Sequence, residues 1–304
     1  MEGILPLWKP KGMTSHDCVF KLRKILHMKR IGHTGTLDPD VDGVLPICLG
    51  RATKVAEYIT DAGKTYEGEV TIGFSTTTED ASGEIANQKK VTQTITRAMV
   101  EDVLKTLTGL IKQTPPMYSA VKVNGKKLYE YARQGIEVER PTREVTIYSL
   151  NLLDDWEELR GETVSFRFIV DCSKGTYIRT LAVMIGEMLG YPAHMSKLTR
   201  TRSATMTKKD CLTIEEVAEK QQNGTIEKYL RPLEDALCDL PKFQINDTLA
   251  MKVRNGMVLE MPSDLKGVGD LIVMESEEGE ALAIYVHHPT KAGKIKPSKI
   301  LKVL

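Results

Sequence analysis

The densest set of reactive side chains is one loop, Gly32-His33-Thr34-Gly35-Thr36-Leu37-Asp38-Pro39-Asp40-Val41-Asp42-Gly43. Its carboxylates can be tested against several chemistries. A calcium loop opens with alternate acids before a glycine, as Asp38, Asp40, Asp42 and Gly43 do. Its twelfth position must be a bidentate carboxylate, and here that position is Leu49. Pro39 also falls inside the coordinating turn, so metal binding is rejected. A glycosidase pair needs two carboxyls about 5–9 Å apart across a cleft, which Asp38 and Asp40 cannot provide alone. A phosphate-cradling loop needs a lysine pattern that is missing. The plainest account by residue type is a turn in which Asp38 and Asp42 bond local amides.

The flanking elements fix where such a loop sits. Thr14 and Asp17 have capping-box spacing, and Val19, Leu22, Ile25 and Leu26 recur at helical intervals, so 15–27 is expected to be a helix. Residues 31–50 are expected to form an ordered loop running into a short apolar strand at Val44–Leu49. A strand is expected at 65–74 and a helix at 97–108, ended by Gly109. Val164, Phe166, Phe168, Val170 and Cys172 alternate as a strand does. A helix at 178–189 follows, and Thr213 with Glu216 caps another at 214–222. Past Leu240–Lys242 come short β-like pieces, Leu271–Glu275 and Ala281–Val286. Strands and helices mixed without βαβ regularity indicate the α+β class.

The 304 residues suggest about two domains. With 42 basic against 41 acidic residues the net charge is only +1, which excludes a uniformly basic or disordered polyelectrolyte. The positive charge is gathered in blocks: +5 over 1–33, +4 over 194–210 and +5 over 291–304. Such segregation suits a polyanion held on one face. Five scattered cysteines without a CxxC pair are expected to be reduced thiols in a cytoplasmic protein. Pro6, Lys9, Pro10 and Lys11 interrupt any signal-peptide pattern, and no apolar run approaches the roughly 20 residues of a membrane span. A soluble, intracellular chain with no membrane partner is therefore expected.

The run GHTGTLDPDVDGVLPICLGRATK at 32–54 closely resembles the signature of the bacterial tRNA pseudouridine synthase B family. Further blocks follow in the family's order. They are Lys64-Thr65-Tyr66, then Pro115 to Lys122 with Gly125 and Tyr129 to Arg133, then Cys172 to Arg179, and His194 with Leu198-Thr199-Arg200. The resemblance spans roughly 1–240. It implies a pseudouridine-synthase catalytic domain over 1–240, with a mixed, largely antiparallel sheet and a thumb-like insertion at about 115–145. It implies a short PUA-like RNA-binding unit over 241–304.

The resemblance implies isomerisation of uridine 55 in the tRNA T-loop to pseudouridine, after the nucleotide is flipped out of its stack. That rearrangement implies no cofactor and no metal. The partner is the T-arm stem-loop of tRNA, no protein partner is required, and a monomer is expected. The basic blocks and the C-terminal unit also suit a tRNA-folding chaperone. By the same resemblance Asp38 is the essential carboxylate and Arg179 grips it bidentately, keeping it charged. Tyr66 lies against the base and helps remove the C5 proton. Tyr177 and Leu198 line the pocket, His33 acts within the displaced RNA loop, and Lys64 serves a phosphate or a strand end. Lys122, Lys126, Lys127, Arg133, Arg140 and Arg143 belong to the thumb.

Overall fold

The alternation at 163–172 is a strand whose even-numbered residues are buried. It lies inside a nine-stranded sheet. The computed structural model describes residues 1–262 and 269–302. In chain order the strands of this sheet are β1 (Gly3–Lys9), β2 (Ile31–His33), β3 (Asp42–Leu49), β4 (Lys64–Ile72), β5 (Gly109–Gln113), β6 (Arg143–Leu152), β7 (Val164–Cys172), β8 (Ala193–Ser203) and β9 (Met206–Thr207). Their order in space is β1-β3-β8-β4-β7-β6-β5, with β2 on β3 and β9 on β8. Among the described strands of this sheet only β8 and β3 pair in parallel, at Thr199–Asp42 and Arg200–Gly43. The sheet is thus mixed and largely antiparallel, as expected.

Helices α1 (Ser15–Ile25), α2 (Ala56–Asp61), α3 (Arg97–Thr106), α4 (Leu128–Ala132), α5 (Ile178–Met188) and α6 (Ile214–Gln222) accompany it. The capping boxes read at Thr14 and Thr213 are both formed. Cys18, Val19 and Leu22 of α1 and Leu181, Ala182 and Ile185 of α5 enter one core with Val70, Phe166 and Phe168. Gly68 faces Phe168 across the β4–β7 ladder. A Cβ there would meet the ring at 2.5 Å, so only glycine lets the phenyl lie flat over the strand.

The C-terminal pieces form a five-stranded sheet: β10 (Lys242–Gln244), β11 (Leu259–Glu260), β12 (Leu271–Glu275), β13 (Ala281–His287) and β14 (Lys294–Ile300), with α7 (Asp247–Arg254) beside them. Val273, Ala281 and Ile284 pack against Ile4, Val44 and Cys48. Strand β3 is therefore buried on both faces, which explains its unbroken apolar run.

The basic blocks are arranged less simply than their sequence clustering suggests. The first and last both reach the segment between β3 and α2: Arg30 donates to Thr53, while Lys54 donates to the Ile300 carbonyl and Lys299 to the Lys54 carbonyl. The middle block is split: Lys197, Lys208 and Lys209 are exposed, but not all of it faces solvent. Arg200 is fully buried, Lys197 pairs with Glu69 and Arg202 with Asp171. Among the described residues no helix is long and apolar enough to cross a membrane.

Candidate active site

The Asp38 loop is fixed through its backbone. Leu37 and Val41 on either side of Asp38 are buried as anchors. Ser15, the first residue of α1, accepts from the Leu37 amide at 2.9 Å and donates to its carbonyl at 3.3 Å. Lys9, at the end of β1, is fully buried and donates to the carbonyls of Pro39 at 3.1 Å and Pro10 at 2.9 Å. Arg200 on β8 donates to the carbonyls of Val44 at 2.7 Å and Gly35 at 3.1 Å. Gly43 has a φ of +127°, and a Cβ there would lie 2.2 Å from the Arg200 carbonyl oxygen. Glycine alone lets the loop enter β3 beside β8. Neither aspartate bonds a local amide as the turn reading supposed: Asp42 accepts from the Thr199 hydroxyl at 2.6 Å, and Asp38 faces a cation.

That cation is Arg179, whose Nε lies 3.2 Å from Asp38 Oδ2. It occupies the first turn of α5, where the helix dipole disfavours a positive charge. Acids and carbonyls around it offset this. Nη1 donates to the Thr78 carbonyl at 3.0 Å and lies 3.7 Å from Asp80 Oδ2, and Nη2 donates to the Tyr118 carbonyl at 2.9 Å. The expected two-armed grip on Asp38 is therefore absent, because both outer nitrogens are engaged elsewhere. Asp80 is itself fixed by the Thr78 hydroxyl at 2.7 Å and by the Ser82 amide at 2.9 Å. Burial pushes the Asp38 carboxyl above its ordinary value. Arg179 and Lys9 oppose that rise, while Asp80 and Asp40 add to it, so the cation offsets the burial cost only in part.

Asp38, Tyr66, Arg179, Lys64, Tyr177 and Leu198 line one cavity of about 730 Å³, within the range of ligand sites. Tyr66 enters it because β4 alternates, turning Lys64, Tyr66 and Gly68 to one face. Burial pushes its phenol above the ordinary value, and Arg200 opposes the shift. Lys64 is buried and donates to the carbonyls of Thr60 and Ala62, at 2.8 and 2.9 Å, closing the C-terminal end of α2. Burial lowers its pKa to about 8. Tyr177 is clamped by buried Gln113, whose side chain accepts from the Tyr177 amide at 3.0 Å and donates to its carbonyl at 3.2 Å. His33 sits on β2 outside the cavity lining, with Nδ1 buried and unpartnered. His194 is a packing residue against Phe74, its Nδ1 3.1 Å from the Phe74 carbonyl.

Sequence reading missed Asp80, Gln113 and the structural use of Lys9. Each acts through partners far away in the chain, so spacing gave no signal. Segment 114–142 leaves the sheet between Gln113 and Arg143, which pair with each other, and returns Tyr118, Ser119 and Ala120 to the cavity wall.

Comparison with known proteins places the chain in a family. Residues 23–178 match the TruB family pseudouridylate synthase N-terminal domain, and 179–238 match the tRNA pseudouridylate synthase B C-terminal domain. The chain is 60% identical over 302 residues to the tRNA pseudouridine synthase B of Geobacillus thermodenitrificans, covering 99% of this chain and 100% of that one. It is 60% identical over 301 residues to the protein of the same name from Bacillus cereus strain ZK, covering 99% and 97%. Among solved structures, a chain of a Cbf5-Nop10-Gar1 complex superposes with a TM-score of 0.75 at 29% identity, over 99% of this chain and 85% of that one. With both family models matched end to end over 23–238 and 60% identity to these relatives over nearly their full length, the chain belongs to the TruB family of pseudouridylate synthases.

Proposed function

We propose that this enzyme converts uridine 55 in the T-loop of tRNA to pseudouridine, with Asp38 as the group on which the chemistry turns. The observation that carries the reading is the Asp38–Arg179 pair, opening with Tyr66 into one nucleotide-sized cavity. The near end-to-end identity to relatives named for tRNA supports the choice of RNA.

The reaction is a rearrangement. The N1–C1′ bond breaks, the uracil turns, C5 bonds to C1′, C5 loses a proton and N1 gains one. Asp38 attacks the nucleotide or takes a sugar proton, with Arg179 balancing its charge. Tyr66 packs against the ring, a contact of about 1–3 kcal/mol, and takes the C5 proton. Tyr177 and Leu198 shape the walls. His33, outside the cavity, meets the displaced RNA loop. Segment 115–145 serves as a thumb over the RNA, and the sheet from Lys242 onward is a PUA-like RNA contact. The chain acts in the cytoplasm as a monomer without a protein partner.

The test is tritium release from uridine labelled at C5, using an unmodified tRNA and a T-arm stem-loop with the purified protein. Wild type releases tritium from both, and Asp38→Asn releases none while still binding. An inactive wild type, or an Asp38→Asn variant of full activity, refutes the reading.

A second role, assisting tRNA folding, is favoured by the convergence of the two terminal basic blocks on neighbouring residues, Arg30 on Thr53 and Lys299 on Lys54. Asp38→Asn is expected to keep that assistance, and its loss in this variant overturns an independent chaperone role.

A further inference from the structure

Arg200 poses a physical problem. It is fully buried, yet among the described residues no carboxylate forms an ion pair with it. A buried charge without an acid is costly. Two carbonyls repay part of that cost, through Nε to Val44 and Nη2 to Gly35. Lys9 shows that a lysine can perform carbonyl bonding of this kind nearby, so loop strapping alone does not call for a guanidinium. The third nitrogen, Nη1, is left over. It lies 3.5 Å from the position a Gly35 Cβ would occupy, within ordinary contact of that part of the loop.

Arg200 is also the residue directly opposite Tyr66 on the β8–β4 ladder. Directly opposed residues of antiparallel strands project to the same face, and both line the cavity. We infer that Arg200 is a positioning residue, holding the Tyr66 hydroxyl and the Asp38 loop at a set separation so that the phenol oxygen meets the C5 edge of the turned base. The inference rests on the base role proposed for Tyr66. In that step the C5–H bond breaks, its electron pair restores the ring double bond, and the proton passes to the Tyr66 oxygen as the phenol gives its own proton to solvent.

The electrostatic surroundings agree with this assignment. Groups facing Tyr66 are Arg200 on β8, Cys172 on β7, Lys64 on its own strand and Asp38 in the loop. Arg179 on α5, Lys174 before it, and Arg143 with Glu144 on β6 complete the walls. Burial, Cys172 and Asp38 all raise the phenol's pKa. Arg200 is the leading influence against that rise, through its charge.

The experiment has two arms. In the first, tyrosines are replaced by 3,5-difluorotyrosine, whose more acidic phenol titrates where the fold is stable. The Tyr66 fluorine signal is assigned by its loss in Tyr66→Phe. Its midpoint is expected to rise by about one pH unit or more in Arg200→Met, with Arg200→Lys in between. An unmoved midpoint overturns the inference, whatever the enzyme's activity. If Arg200→Met does not fold, Arg200→Lys alone decides. In the second arm, single-turnover rates on bound stem-loop are expected to fall about 10- to 100-fold in Arg200→Lys with KM unchanged. That factor is expected to vanish in a Tyr66→Phe background. Equal losses in both backgrounds mean scaffolding alone and overturn the inference. A wild type that makes no pseudouridine refutes the proposed function instead, and the titration still judges Arg200.

Discussion

Two guanidinium groups face the same cavity and are held in opposite ways. Arg179 stands among acids, with Asp38 at 3.2 Å and Asp80 at 3.7 Å. Arg200 stands among carbonyls and a phenol, with no acid paired to it among the described residues. Lys9 belongs with Arg200, since it too is fully buried and bonded to carbonyls. The difference separates two uses of buried positive charge. Charge held by acids tunes the ionisation of a carboxylate that lines the cavity. Charge held by carbonyls fixes the backbone that carries it.

The contrast can be broken first at Arg179. Arg179→Met is expected to lower kcat/KM by about a hundredfold or more. Arg179 opposes the upward shift of the Asp38 carboxyl, so its removal raises that pKa further. The carboxylate is then lost at higher pH, and the deficit should be larger in mildly acidic than in alkaline buffer. A deficit equal at all pH values would place Arg179 in scaffolding.

Lys9→Met probes the carbonyl-held class. Losing two charged hydrogen bonds is offset by relief of a buried charge, so the urea-derived stability should change by no more than about 1 kcal/mol. The single-turnover rate should still fall about tenfold or more, because Pro39 next to Asp38 is released. A stability loss with an unchanged rate would erase the distinction between the classes.

The smallest effect is thermodynamic. Asp38 has a folded-state pKa above its ordinary 3.8, so the folded chain binds more proton there than the unfolded chain. Stability therefore falls as pH rises through that interval. Asp38→Asn should melt slightly higher than wild type at neutral pH, and the gap should close as pH drops toward 3.8. A lower melting temperature at neutral pH would mean that the carboxylate stabilises the fold.

Much of this arrangement was legible in the chain. Periodicity located α1, α3, α5 and β7 to within a few residues, because each buries an ordinary apolar face, and the capping box located α6. Strand β8 was not legible. It is 11 residues long and central to the sheet, but its buried positions include His194 and Arg200, so it read as a basic surface block. The blocks around Asp38, Tyr66 and Arg179 were legible through resemblance, and the structure brings these side chains into one cavity. Asp80 was invisible because its link to Arg179 joins segments 99 positions apart without a local pattern.

Strand β3 ties together more than the sheet that contains it. One face lies against the helices and the other against the C-terminal strands, while its first residue closes the Asp38 loop. A chain cut at Leu240 would strip Val273, Ala281, Ile284 and Leu301 from the cluster around Ile4, Val44 and Cys48, leaving it partly uncovered. Strand β3 begins four residues after Asp38, so the packing of the C-terminal sheet and the placement of that loop share one strand.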